Sequence, residues 1–267
     1  MIPWFFRFFS YLLASLIAFP FIATALPAYT QQQLQQGEAI SQQAITAIAQ
    51  GNFGQAEQYF SLLIESFPEN PALWSNRGNS RIAQNKLQEA ISDFNQAIAL
   101  APSEPDSYLN RGIAYEGQGR YQEAVADYNR VLALLPDDAV AYNNRGNAKA
   151  GQGNWEAALA DYQKAVEFAP NFALARDNGA LALYQLGKIP ESIQEMRKIV
   201  RKYPMFADAR AALTAMLWEE GNQGEAESNW AAAVGLNARY QDLDWVSQTR
   251  RWPPKVIAAL EKFLTLQ

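Results

Sequence analysis

The sequence predicts an all-α protein made of six consecutive helical hairpins, and three observations carry that prediction. Small residues, aromatics and prolines recur every thirty-four residues, with no insertion, from Gly37 to Tyr240. Within each period, apolar residues form two stripes at helical spacing. Breakers such as Gly117-Gln118-Gly119 separate the two stripes, and a proline closes most periods. One such hairpin cannot bury its own apolar face. Stacked neighbours can, so a fixed period of this length reads as a solenoid.

The chain opens on "MIPWFFRFFSYLLASLIAFPFIATALPA", residues 1–28. Arg7 is the only charge there, and an apolar run follows it from Phe8 to about Ala23. Ala23-Thr24-Ala25 then offers a small-x-small cleavage site, the layout of a secretory signal peptide. An uncleaved membrane anchor is the other reading, since about 20 apolar residues span a bilayer. In both cases Arg7 stays cytoplasmic and the remainder is exported, with membrane contact only if the segment is kept. Residues 29–36 form a polar linker.

The six units are 37–70, 71–104, 105–138, 139–172, 173–206 and 207–240. Unit three serves as the template, with a first helix over about 105–116 and a second over about 121–134. Small residues at Gly112 and Ala124 let the paired helices approach, and Tyr115, Tyr121 and Tyr128 fill the space between them. The glycine recurs as Gly78 and Gly146, and the alanine as Ala56, Ala90, Ala158 and Ala226. The closing proline recurs as Pro68, Pro102, Pro136, Pro170 and Pro204. Phe60, Phe94, Tyr128, Tyr162 and Trp230 occupy one second-helix position and read as core. Units five and six drift, with Ala180 and Thr214 at the glycine position and Met196 at the aromatic one.

Residues 241–267 fall outside the period. A helix is expected from about Pro253, with Val256, Ile257, Leu260, Phe263 and Leu264 on one face. It reads as a cap on the last unit. The run Arg250-Arg251-Trp252-Pro253-Pro254, with Trp245 before it, is denser than a plain cap requires, so an interface remains the alternative.

Composition narrows the function. The chain has no histidine and no cysteine, which excludes Ser-His-Asp and Cys-His catalysis and thiolate zinc sites. A formal charge of −5 without a basic stripe excludes nucleic acid as the expected partner. Carboxylates such as Glu116 and Glu123 form no paired acid/base set in the sequence. Neither catalysis nor a cofactor is expected, though a pocket of perturbed carboxylates would reopen the question.

The repeat resembles the tetratricopeptide repeat (TPR) family. Its pattern W-x2-L-G-x2-Y, A-x3-F, P is matched closely over 71–172 and loosely over 37–70 and 173–240. The resemblance implies a right-handed α-solenoid whose first helices line a concave face. It also implies a monomeric, non-enzymatic scaffold for a protein or peptide partner. The ending resembles that of TPR proteins linked to thylakoid complexes, which implies the periplasm or thylakoid lumen and a role in assembling a membrane complex. A structural subunit docking by its convex face or terminal helix is the alternative.

Two columns of polar residues follow the same period. Arg77, Arg111 and Arg145 occur only in units that also carry Asp93, Asp127 and Asp161 sixteen residues later. This co-occurrence predicts an Arg–Asp pair between first and second helices, within or across units. Asn76, Asn110, Asn144 and Asn178 form the second column, widened by Asn79, Asn143 and Asn147. In the TPR family this position faces the groove, and the amides resemble an asparagine ladder that holds extended peptides. The alternative is that asparagine is simply tolerated there. A carboxylate clamp for chaperone tails is not expected, because Ser75, Val140 and Asn144 stand where the clamp needs cations.

Overall fold

The computed structural model describes residues 29–266, and the leader expected over 1–28 lies outside them. The described residues are helical almost throughout. Repeat one is α1 (Gln31–Ala49) and α2 (Phe53–Ser66), with α1 taking in residues 31–36, expected as linker, because Thr30 caps the helix there; repeat two is α3 (Pro71–Ala83) and α4 (Leu87–Leu100). Repeat three is α5 (Pro105–Gly117) and α6 (Tyr121–Leu134); repeat four is α7 (Ala139–Gly151) and α8 (Trp155–Phe168). Repeat five is α9 (Ala173–Gln185) and α10 (Ile189–Lys202); repeat six is α11 (Ala207–Glu219) and α12 (Gln223–Leu236). The chain divides into two compact bodies, one up to Ser107 and the other from Tyr108.

Local chemistry sets the helix ends. Thr30 and Gln33 form a capping box on α1, while Asn52, Asn70, Asp138 and Asn154 cap later helices through their side-chain oxygens. Between the two helices of every repeat, one residue is left-handed: Gly51, Asn85, Gly119, Gly153, Gly187 and Gly221. Asn85 is the one of these that bears a side chain, and asparagine tolerates that region better than other residues.

The marker glycine has a different cause. A Cβ on Gly112 would lie 2.6 Å from the Tyr128 ring, and one on Gly78 would lie 2.8 Å from the Phe94 ring. The aromatic of the second helix therefore packs directly on the first-helix backbone of its own repeat. In the first body, Ala44, Phe60, Leu63 and Leu73 form a core. In the second body, the largest core runs from Tyr184 and Met196 through Leu213, Met216 and Trp230 to Leu260 and Phe263.

After α12 the chain makes a 3-10 turn (Ala238–Gln241), a short turn α13 (Leu243–Trp245) and a π-helical turn (Val246–Arg250). Arg251 follows in the left-handed region at φ 54° and ψ 42°. The last helix, α14 (Pro254–Thr265), lies against α11 and α9, the first helices of repeats six and five. It thus does more than cover the last repeat, because its contacts extend over two repeats on their first-helix side. Phe263 sits edge-on to Trp218 and Trp230, with centroids 5.1 and 5.2 Å away. Among the described residues, no helix is long and apolar enough to cross a membrane.

Candidate functional site

The arginine column forms the pairs expected from spacing. Arg77 donates Nε and Nη2 to Asp93 at 3.0 and 2.7 Å. Arg111 and Arg145 bind Asp127 and Asp161 in the same fork at 2.8 and 2.7 Å. The pair lies within a repeat, but the arginine also reaches backwards. Arg77 Nη1 donates to Ser61 of α2, and Arg145 Nη1 donates to Asn129 of α6. Aromatics lie under the guanidinium groups: Trp74 at 4.9 Å from Arg77 and Tyr142 at 5.2 Å from Arg145. This column is structural.

The asparagines divide into two groups. Asn76 and Asn79, in the first body, are half-buried on α3. In the second body, Asn110, Asn143 and Asn144 are buried, while Asn147 and Asn178 are half-buried. Four of these amides, on α7 and α9, are joined to one another. Asn178 donates to Asn143 at 2.9 Å and to Asn147 at 3.2 Å, which ties two successive first helices together. Asn143 donates to Asn144 at 3.3 Å, and the Tyr162 hydroxyl donates to Asn147 at 3.0 Å. The Asn144 amide nitrogen is buried with no acceptor. The amides thus form a knot of hydrogen bonds with one donor left over.

A second polar centre lies on the same first-helix side and was not singled out from the sequence. Asp208, in the first turn of α11, is 3% exposed and accepts from several groups of the C-terminal region. The Arg250 guanidinium forks onto it, with Nε at 2.9 Å. Tyr240 donates its hydroxyl at 2.6 Å, and Trp252 its indole N–H at 3.1 Å. The α11 N-terminus adds a favourable field for the anion. Burial opposes the charge on Asp208, but Arg250 outweighs it and holds the carboxyl ionised.

Asp177 of α9 lies beside Asp208, wholly buried, and neither of its oxygens has a hydrogen-bonding partner among the protein's donors. Burial and then the Asp208 charge push it well above the usual carboxylate range, so it stays protonated. As an acid it can donate to Asp208 itself.

The segment after Arg250 continues along this side. Arg251 Nη1 reaches Glu116 at the end of α5, 3.4 Å away, and the Lys255 N–H donates to Gln185 of α9 at 3.0 Å. Glu116 also accepts from the Tyr128 hydroxyl. Burial pushes Glu116 up to about 7, with Tyr128 and Arg251 pulling the other way. Residues 250–255 therefore touch α5, α9 and α11, three first helices of the second body. The available sequence signal was the Arg-Arg-Trp-Pro-Pro run, an aromatic-basic stretch lying outside the period.

Family comparison matches residues 78–119 to the TPR repeat and residues 112–177 to the tetratricopeptide repeat. These residues carry TPR repeats. Among solved structures, a tetratricopeptide repeat protein from Parabacteroides merdae has a TM-score of 0.64 at 21% identity, covering 87% of this chain and 100% of its own. TTC0263 of Thermus thermophilus, a thermophilic TPR protein, has a TM-score of 0.57 at 16% identity, covering 68% and 99%. YrrB, described as a TPR protein with an unusual peptide-binding site, has a TM-score of 0.53 at 21% identity, covering 72% and 97%. At these identities the likeness is one of fold. No curated protein matches the sequence.

Proposed function

We propose that this chain is a monomeric, non-enzymatic interaction scaffold whose first-helix face holds an extended segment of a partner protein. TPR folds generally serve as protein–protein interaction scaffolds. The observation that most supports the reading here is that this face already holds non-helical chain. Residues 251–253, between Arg250 and α14, run there with side-chain bonds to Glu116 of α5 and Asp208 of α11. Primary amides suit such a task because each offers a donor and an acceptor to a peptide backbone. The spare amide nitrogen of Asn144 is a donor of that kind. Asn110, Asn143, Asn147 and Asn178 are its neighbours in the proposed contact set, and Asn76 and Asn79 are the equivalents in the first body. A second protein supplying a strand or a helix is the expected partner class.

The perturbed carboxyls fit anchoring rather than catalysis, because side chains of this same protein cover them. Asp208 is filled by Arg250, Tyr240 and Trp252, and Glu116 by Tyr128 and Arg251.

An array of unrelated peptides, probed with the full chain and with an Asn110→Ala/Asn144→Ala variant, tests the scaffold reading. The full chain should retain a subset of peptides and the variant should lose it, with the helical circular dichroism unchanged. Retention of the same peptides by the variant would remove the asparagine face from the mechanism. We further propose export to the periplasm or thylakoid lumen and service to a membrane complex, on the strength of Arg7, the apolar run after it and Ala23-Thr24-Ala25. Sequencing the N-terminus of the chain isolated from its host, with protease protection of its membranes, checks the location. A chain found wholly on the cytoplasmic side would overturn it.

A further inference from the structure

We infer that the second body carries an acid-lined subsite for an extended arginine–tryptophan segment, that residues 250–253 of this chain are its resting occupant, and that a partner segment of the same chemistry enters by displacing them. The inference rests on the scaffold reading and gives its face a ligand class.

The subsite has a charge and a shape. Asp208 offers both oxygens to one guanidinium and still accepts an indole N–H, so it selects an arginine two residues before a tryptophan. Glu116 takes the intervening Arg251 by a single 3.4 Å contact, and that arginine side chain keeps 47% of its surface exposed. Asp177, buried and protonated against Asp208, adds no second charge there. Asp208 and Glu116 therefore face two guanidinium groups, one of them loosely held.

The occupant is seated under strain, whereas the helix after it is not. Arg251 is left-handed, a region unfavourable to a residue that bears a Cβ. It follows a π-helical turn, a rare geometry frequent at functional sites. Charged or hydrogen-bonded contacts hold the segment to α5 and α11, and the Trp252 side chain is buried in the core that α14 joins. The helix α14 has further anchors of its own: Val256, Leu260 and Phe263 are fully buried, and the Lys255 N–H bonds Gln185 of α9. The anchor on the C-terminal side can thus stay in place while residues 250–253 lift. The prolines at 253 and 254 fall between the part that leaves and the part that stays, and they keep the leaving part from joining α14.

The test uses a labelled synthetic peptide copying residues 246–256, with fluorescence polarisation against full-length proteins. The wild-type chain, its subsite occupied, should bind weakly. Arg250→Ala/Trp252→Ala should bind about tenfold more tightly, because the competing segment is weakened. Adding Asp208→Asn to that variant should remove the gain. Equal binding by wild type and variant, or binding by neither, overturns the inference. Hydrogen exchange on the unmodified chain decides the matter even if the variants fold poorly. Amides of residues 247–252 should exchange well before those of α11, and exchange in step with α11 would make the segment part of the core and overturn the proposal. Loss of the scaffold reading is distinguishable: it would appear as retention of no peptide by the full chain on the array, whereas loss of the subsite appears as equal binding of the 246–256 peptide by wild type and Arg250→Ala/Trp252→Ala.

Discussion

At the scale of single residues, neighbouring side chains of similar type carry different consequences. Asn144 buries an amide nitrogen with no acceptor, but its oxygen is the acceptor for Asn143, so Asn144→Ala removes one unmet donor, strands another and should change stability by less than about 1 kcal/mol. Asn178 donates to two carbonyl oxygens at once, and Asn178→Ala should cost about 1–2 kcal/mol in urea unfolding. Asp93 is a sharper case. It is 2% exposed and receives both Arg77 and Arg81, so Asp93→Ala strands the Arg77 guanidinium, leaves Arg81 its pair with Glu57, and should cost about 3 kcal/mol. Glycines divide in the same way. Gly112→Ala drives a methyl into a buried ring held by Glu116, and the overpacking of about 1–3 kcal/mol outweighs the gain in helix propensity. The Arg–Asp pairs could be read from the sequence because both partners repeat at one spacing. The solitary Asn144 donor could not, because nothing in its residue type says whether an acceptor will face it.

At the scale of elements, the twelve repeat helices follow from periodicity, while the last thirty residues do not. Each helix pair has copies elsewhere in the chain, and copies reveal which positions pack. The clasp of Asp208 by Arg250 joins residues forty-two apart and has no copy, so no internal comparison exposes it. The left-handed turn column was visible as glycine in five units and hidden in one, where Asn85 replaces it. The terminal helix and the segment before it should respond differently to substitution. Phe263→Ala opens a cavity under Trp218 and Trp230 and should cost about 3–5 kcal/mol, seen as a lower Tm and a freed α14. Arg251→Ala removes one long contact from a half-exposed side chain and should leave the Tm within about a degree or two. Equal losses from the two would mean that strap and helix unfold as one unit.

At the scale of the whole molecule, the two bodies should differ in their response to pH near neutrality. In the first body, burial works against the charge on Glu57, but hydrogen bonds from Lys86, Arg81 and Gln84 prevail and bring it to about 2. Its contribution is complete above the unfolded value near 4.5 and is lost as pH falls toward about 2. In the second body, Glu116 is raised to about 7, so the folded state holds a proton that the unfolded chain has released. Its contribution is complete below about 4.5 and is lost as pH rises through about 7. Exchange measured body by body across this range should show acid loosening both bodies, the second through Asp208, and neutrality loosening the second alone. A common profile would contradict these assignments.

The backward reach of the arginines has a consequence for how such a chain can change length. Arg77 and Arg145 each hold their own aspartate and also grip a residue sixteen places earlier, in the repeat before. A repeat with this arginine therefore brings its own half of the joint and needs only a small acceptor, Ser61 or Asn129, from its predecessor. A frame-preserving duplication of residues 71–104 should accordingly give a longer, foldable protein. The new seam would pair a second copy of Arg77 with Asn95, which stands one period after Ser61, so the array could grow by gene duplication alone.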